Sequence, residues 1–170
     1  MTSRTHPWRR ADGGDRLQGR IQHGDLVAFS AGVLAGGYVG EVGRTWPAGN
    51  RQGARGVAPL YRRWEHLWEK LIASCRPGAR ASELLVAYQA AGEPEPPMPV
   101  ARGLGMGFDP PVVSKHLPST AADERLEPGM VLAVTGYVWE EGIGAVFGRE
   151  AVLITANGSE VLTASPFWQP

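Results

Sequence analysis

The side chains that could perform chemistry in this 170-residue chain do not form the common short catalytic motifs. The sequence contains no H-E-x-x-H, C-x-x-C or G-x-S-x-G pattern, so no zinc helix, thiol redox motif or nucleophile elbow is indicated. Alternating glycines at 103–107 suggest a phosphate loop, but no G-K-S/T follows them. The sequence leaves a Ser-His-Asp set open, because the members of such a set can be far apart along a chain.

The glycine-rich stretch 24–46 predicts an antiparallel hairpin. A turn pair at 24–25 precedes an apolar run at 26–29, and a break of small residues ends at Gly36-Gly37. The chain then returns over 38–45 with large and polar residues interleaved. Two β-type runs around glycines are typical of a hairpin, because glycine tolerates the positive φ that tight turns require.

The same stretch resembles the signature hairpin of the pita-bread family, which includes methionine aminopeptidase, aminopeptidase P, prolidase and creatinase. The matching elements are G-D at 24–25, A-G at 31–32, G-Y at 37–38 and R-T-W at 44–46. Further along, P-G at 77–78, P-G-M-V at 128–131 and V-L-I-T at 152–155 also fit the family pattern. The resemblance implies an α+β pita-bread fold, a curved antiparallel sheet backed by helices, truncated at the N-terminus.

The family's dinuclear metal site uses two aspartates, one histidine and two glutamates, and this chain resembles the family without those ligands. The corresponding positions hold Ser30, Glu41, Arg102, Thr135 and Arg149. Two of these side chains are cations, which repel a divalent ion, so we expect no metal and no other cofactor. Glu150 is one residue from a ligand position, and alternation along a strand would direct its side chain away from the site.

The resemblance therefore implies a metallopeptidase-like domain that acts as a non-catalytic binding or subunit domain. Guanidinium groups suit planar anions, so a small carboxylate or a peptide is the expected ligand, unless the arginines only pair with Glu41. The expected ligand-binding residues are Ser30, Tyr38, Arg102, Thr135 and Arg149. The alternative is a metal-independent, creatinase-like or Xaa-Pro peptidase-like hydrolase, with His6, Glu41 and Asp109 as its proton-transfer residues.

The elements that must position these residues divide one predicted domain, 1–170, into five parts. These are a polar N-terminal segment (1–23), the hairpin (24–46), a helix pair (57–92), a proline-rich connector (93–99) and a second half of the sheet (100–163). In the helix pair, apolar residues recur at helical spacing from Leu60 to Cys75, and a second helix is predicted over 82–91. Strands are predicted over 131–139, 145–155 and 160–163.

The composition indicates a globular protein without a strongly charged partner. Lysine plus arginine equals aspartate plus glutamate at 17 each, which argues against nucleic acid or an anionic membrane as the main partner. No secretory signal is visible and Cys75 is the single cysteine, so we expect a cytoplasmic protein with a buried core thiol. Because the helices and strands that normally precede the hairpin are missing, we also expect a homo-oligomer or a partner chain that completes the domain.

Overall fold

Two helices lie against one face of an antiparallel sheet in the part of the chain that this computed structural model describes, residues 21–49, 57–116, 124–163 and 165–169. The elements in chain order are β1 (Leu26–Ala35), β2 (Tyr38–Pro47), α1 (Ala58–Ser74), α2 (Glu83–Ala90), β3 (Ala101–Leu104), β4 (Phe108–Val113), β5 (Val131–Glu140), β6 (Gly144–Ile154) and β7 (Ser159–Val161). This arrangement confirms the predicted sheet backed by helices.

Strands β1 and β2 form the predicted hairpin, in register from Leu26 opposite Pro47 to Ala35 opposite Tyr38. The turn is Gly36-Gly37, with φ of 57° and 89°, which is the left-handed region that glycine enters without steric cost. The break expected after residue 29 is wrong, because the small residues that follow continue the strand to Ala35. Small side chains are weak strand formers by themselves, and here the pairing with β2 holds them in the sheet.

The sheet order is β1-β2-β6-β5-β3-β4, with β7 paired to β6, and each neighbouring pair is antiparallel. The long β5–β6 hairpin forms the centre, with ten residue pairs in one unbroken register. Because successive side chains of a strand point to opposite faces, each central strand contributes to two different environments. Even-numbered residues of β5, such as Val134 and Val138, belong to the core beneath the helices.

The predicted helices are confirmed within two residues at each end. Pro59 lies in the first turn of α1, where its missing N–H costs no hydrogen bond, because N–H groups there have no partner within the helix. The apolar stripe of α1 is buried against the sheet and α2, at Leu60, Tyr61, Trp64, Leu67 and Leu71. The indole Nε1 of Trp64 donates to the carbonyl of Gly136 at 3.0 Å, so the polar group of this large buried side chain has a hydrogen-bond partner. Cys75 is buried in the same core, as expected.

Residues 165–169 pack against the N-terminal half of α1, a contact that the sequence analysis did not predict. The ring of Phe167 lies 4.4 Å from that of Trp64, and the ring of Trp168 lies 4.5 Å from that of Tyr61. The Arg44 guanidinium lies 4.0 Å from the centre of the Phe167 ring. This segment therefore closes the core at one end of the helix layer.

Strands β3 and β4 were not predicted individually, although residues 100–163 were assigned to the second half of the sheet. The two strands approach each other closely at Gly103, because a Cβ there would overlap the backbone carbonyl of Asp109, 2.6 Å away. The two prolines of β4, Pro110 and Pro111, are joined by a cis peptide bond and lie on the edge strand. Prolines are tolerated there because an edge strand has fewer N–H groups to pair.

Candidate functional site

Four of the five residues at the predicted site lie together on the face of the sheet opposite the helices. Thr135 and Arg149 are directly opposite each other on β5 and β6. Arg149 is in turn opposite Gly43 on β2, and Glu41 is two residues from Gly43 on the same face. Arg102 reaches the group from β3, the neighbour of β5 on its other side.

A connected set of polar contacts joins these four side chains, which we call the arginine–glutamate cluster (Glu41, Arg102, Thr135 and Arg149). Arg102 forms an ion pair with one carboxylate oxygen of Glu41. Arg149 donates from Nη1 to the other Glu41 oxygen at 3.2 Å and from Nε to the Thr135 hydroxyl at 3.0 Å. One carboxylate is therefore shared by two guanidinium groups.

Partial burial strengthens the interactions within the cluster. The side chains of Glu41, Arg102 and Arg149 retain 16%, 15% and 20% of their accessible surface. The pKa of Arg149 is lowered mainly by burial, and the charge of Arg102 lowers it further, while Glu41 opposes both effects. Burial and the nearby charge of Arg102 therefore disfavour the protonated form of Arg149, and the carboxylate of Glu41 favours it.

A cavity of about 120 Å³ opens beside the cluster. It is lined by Pro99, Arg102, Ala133, Thr135 and Arg149. The sequence analysis missed Pro99 and Ala133. Ala133 could have been found from the pattern, because it is two residues before Thr135 and therefore shares its face. Pro99 precedes a strand that was not predicted, so no pattern placed it there.

Two further predicted ligand-binding residues are not part of the cluster. Ser30 lies in the same row of the sheet, opposite Gly43, but its side chain is exposed and takes no part in the hydrogen bonds that join the other four. Tyr38 is 62% exposed next to the hairpin turn, and its odd spacing from Glu41 places it on the opposite face. The structure therefore brings neither side chain into the cluster, and their role in ligand binding stays a prediction.

The predicted catalytic residues are not brought together in the described part of the chain. Glu41 is engaged by two arginines. The Oδ2 atom of Asp109 is buried beside Gly105, without a hydrogen-bond partner among the described residues and without a contact to Glu41. His6 lies outside the described residues.

Glu150, the neighbour of Arg149, points to the helix face, as strand alternation predicts. Its Oε1 atom accepts from Nη2 of Arg44 at 2.5 Å, and both side chains are almost fully buried. Arg44 also donates to the carbonyl of Ser165 at 2.6 Å. This buried pair was not predicted, although Arg44 was recognised as part of an R-T-W match.

Comparison with known proteins identifies the family of this chain. Residues 3–156 match the sequence pattern of metallopeptidase family M24. The chain belongs to metallopeptidase family M24. The M24 domain has the pita-bread fold, so the resemblance noted in the sequence is confirmed.

Relatives of this M24 domain include proteins with different activities. It is 30% identical over 154 residues to an Xaa-Pro dipeptidase of Pyrococcus horikoshii, which covers 85% of this chain and 41% of the relative. It is 27% identical over 172 residues to the dimethylsulfoniopropionate lyase DddP of Roseobacter denitrificans, covering 96% of this chain and 37% of the relative. The chain thus spans about two fifths of the length of these relatives.

The solved structure of the prolidase from Pyrococcus horikoshii OT3 superimposes on this M24 domain with a TM-score of 0.73. The sequence identity is 26%, and the match covers 89% of this chain and 44% of that chain.

Among the residues that the structure describes, no helix is long and apolar enough to cross a membrane.

Proposed function

We propose that this M24 domain does not hydrolyse peptides and serves instead as a binding or subunit domain. The observation that carries the proposal is the engagement of both Glu41 oxygens by Arg102 and Arg149. In the resemblance to pita-bread enzymes, these three residues stand where metal ligands are expected. Here the one carboxylate among them is already paired with two guanidinium groups.

The chemistry of the cluster does not fit a divalent cation. Such an ion binds several oxygen or imidazole donors that together carry negative charge. The cluster provides one carboxylate and one hydroxyl, and its two guanidinium groups cannot lose their protons at ordinary pH. Within residues 21–49, 57–116, 124–163 and 165–169, no group of three or more His, Cys, Asp or Glu side chains could hold a metal ion.

Peptide hydrolysis without a metal, the alternative from the sequence, has less support. A general base must be within hydrogen-bond reach of the proton that it removes and must have a free oxygen to accept it. Both Glu41 oxygens already accept from arginines, and Asp109 is not joined to them. The names of the Xaa-Pro dipeptidase and prolidase relatives suggest proline-containing dipeptides as the substrates to test first.

Metal content and dipeptidase activity test this proposal together. The purified protein is incubated with manganese or cobalt, desalted and analysed for bound metal, and then assayed on Xaa-Pro dipeptides. The prolidase from Pyrococcus horikoshii serves as the positive control in the same buffers. We expect less than stoichiometric metal and no hydrolysis above the buffer rate. Two tightly bound metal ions per chain, or turnover that chelation abolishes, would overturn the proposal.

A restoration variant makes the comparison sharper. It carries Ser30→Asp, Glu41→Asp, Arg102→His, Thr135→Glu and Arg149→Glu, the residue types that the resemblance implies at these positions. If the native side chains are what prevents metal binding, the restored chain should retain metal after desalting, whereas the native chain should not. Equal metal retention by both chains would contradict the proposed role of the arginines.

A further inference from the structure

We propose that the cavity beside the arginine–glutamate cluster binds a short aliphatic monocarboxylate, with its carboxylate on Arg149 and its alkyl group against Pro99 and Ala133. The inference rests on the proposed function, because a divalent ion in the cluster would change the donors that face the cavity. It adds the ligand class, the ligand's orientation and two contact residues to that function.

Arg149 has a hydrogen-bonding edge available for this ligand. Its Nε donates to Thr135 and its Nη1 donates to Glu41, which fixes the plane of the guanidinium group. Nη2 has no acceptor among the described residues, and Arg149 lines the cavity. A fixed guanidinium with free N–H groups is preorganised for a carboxylate, which accepts such bonds in the same plane.

The donors of Arg149 favour a ligand with a single carboxylate. Its Nε and Nη1 already donate to Thr135 and Glu41, so Nη2 is the group that remains for the ligand among the described contacts. A carboxylate can accept from Nη2, and a hydrogen bond between ions is stronger than one between neutral groups. A dianion such as hydrogen phosphate would place its second charge near Glu41.

The size and lining of the cavity limit the alkyl group. Because a protein cavity of about 150 Å³ accommodates the six non-hydrogen atoms of benzene, a cavity of about 120 Å³ holds about five, as in propionate. Pro99 and Ala133 supply an apolar wall, while the polar groups belong to Arg102, Thr135 and Arg149. A ligand with one polar and one apolar end matches this division.

Titration with a series of sodium carboxylates tests the inference. Acetate, propionate, butyrate and hexanoate are added at constant ionic strength in the presence of EDTA, and binding is followed by amide chemical shifts. We expect saturable binding of acetate and propionate and weaker binding of butyrate, with hexanoate weaker than propionate by at least about tenfold because it exceeds the cavity. Equal responses to chloride, phosphate and propionate would show only a general ion effect and would overturn the inference.

Substitutions locate the site. Arg149→Met should weaken propionate binding by about tenfold or more, since a charge-assisted hydrogen bond is lost. Arg149→Lys keeps the charge without the planar fork and should be intermediate, while Arg62→Met, on the exposed side of α1, should leave binding unchanged. Ala133→Val should weaken butyrate more than acetate. Unaltered binding by folded Arg149→Met protein would refute the assignment.

The same titration separates this inference from the proposed function. Carboxylate binding that appears only after a divalent metal is added would contradict the non-catalytic function, because a metal would then hold the ligand. Absence of carboxylate binding both with and without metal, in a protein that retains no metal and hydrolyses no dipeptide, would refute the ligand assignment and leave the proposed function intact.

Discussion

Arg149 and Glu150 are neighbours in β6, yet their side chains lie in two separate charge networks. Arg149 joins the cluster on the open face, and Glu150 pairs with Arg44 beneath the helices. Each network contains arginine and glutamate, but the pair on the helix face is almost fully buried. Because the two glutamates differ in burial, we expect ionisation of the buried Glu150 to affect the stability of the fold. The dependence of the unfolding free energy on pH tests this.

The Arg44–Glu150 pair predicts a dependence of stability on pH. Burial raises the pKa of Glu150 from 4.5 to about 7, although Arg44 opposes the shift. A carboxyl group whose pKa is higher in the folded state stabilises the fold below the unfolded value, and this contribution is lost as the pH rises through about 7. At 1.36 kcal/mol for each pKa unit, the loss is about 3 kcal/mol between pH 4 and pH 8.

Urea denaturation of the native protein and of Glu150→Gln over this pH range measures the effect. The variant should lack the fall in unfolding free energy, whatever its absolute stability, because it cannot titrate. The exposed residue Glu160 provides the control, and Glu160→Gln should keep the native pH profile. Parallel profiles for native protein and Glu150→Gln would contradict the prediction.

Glu41 is expected to stabilise the fold by separating two like charges. Glu41→Gln removes the carboxylate that Arg102 and Arg149 share and leaves the two arginines close together, so the unfolding free energy should fall by about 1–3 kcal/mol. Thermal and urea denaturation check this value. Adding Arg102→Met to the variant should restore part of the loss, and a further loss of similar size would argue against charge repulsion as its cause.

At the site, the sequence predicted which side chains meet but not all of their surroundings. The positions of Glu41, Arg102, Thr135 and Arg149 followed from matched motif spacing, since strands in register bring distant residues to one row. Ser30 was placed in the correct row, yet a row extends across several strands and its end is exposed. The pairing of strands therefore predicts the face of the sheet to which a side chain points better than it predicts the side chains that it contacts.

At the scale of elements, α1 approaches the sheet closely because two glycines on β5 and β6 lie beneath it. Gly136 and Gly148 are directly opposite each other, and the Trp64 indole packs on both. A Cβ on Gly136 would lie 2.8 Å from the indole nitrogen, closer than an ordinary contact allows. The glycine pair therefore sets the depth at which the helix packs.

Gly148→Ala should destabilise the protein by about 1–3 kcal/mol, the usual cost of overpacking a core. The new methyl group would overlap the Trp64 ring and lie 2.7 Å from the Phe167 ring, so both must shift. Gly158→Ala is the matched control, because a Cβ there meets nothing within 4 Å. Chemical denaturation compares the variants, and equal stability would show that α1 adjusts without cost.

The helices were predictable from sequence because their apolar stripes follow a 3.6-residue period and a proline and glycines mark their ends. Strands β3 and β4 were not, since their glycines and prolines have low strand propensity and only pairing with β5 and with each other holds them. The packing of Phe167 and Trp168 was also missed. It depends on tertiary contacts, for which a short terminal segment gives no periodic signal.

At the scale of the whole molecule, β1 is an edge strand of the sheet that the described residues form. It carries no charged residue and no proline, and seven of its ten residues are exposed. Val33 and Leu34 retain 66% and 73% of their accessible surface. Edge strands of this kind offer unpaired backbone groups and apolar side chains to another chain.

We expect the protein to associate with a second copy through β1, because two uncharged edges can meet without repulsion between like charges. Light scattering should then give a mass at least twice the 18.2 kDa of the chain. Val33→Lys should shift the protein toward the monomer, whereas Val86→Lys, on an exposed position of α2, should not. A monodisperse monomer at high concentration would contradict the prediction, and a monomer that binds another protein through β1 would assign the edge to a different partner.

Because Cys75 is buried, its reaction with an alkylating reagent can report rare opening of the native protein. Only the thiolate reacts with alkylating reagents, and burial raises the pKa of this thiol to about 12. As the single thiol in the chain, it can be modified only when the end of α1 separates from the core. The rate of alkylation under native conditions therefore measures how often the helix layer opens, without an introduced label.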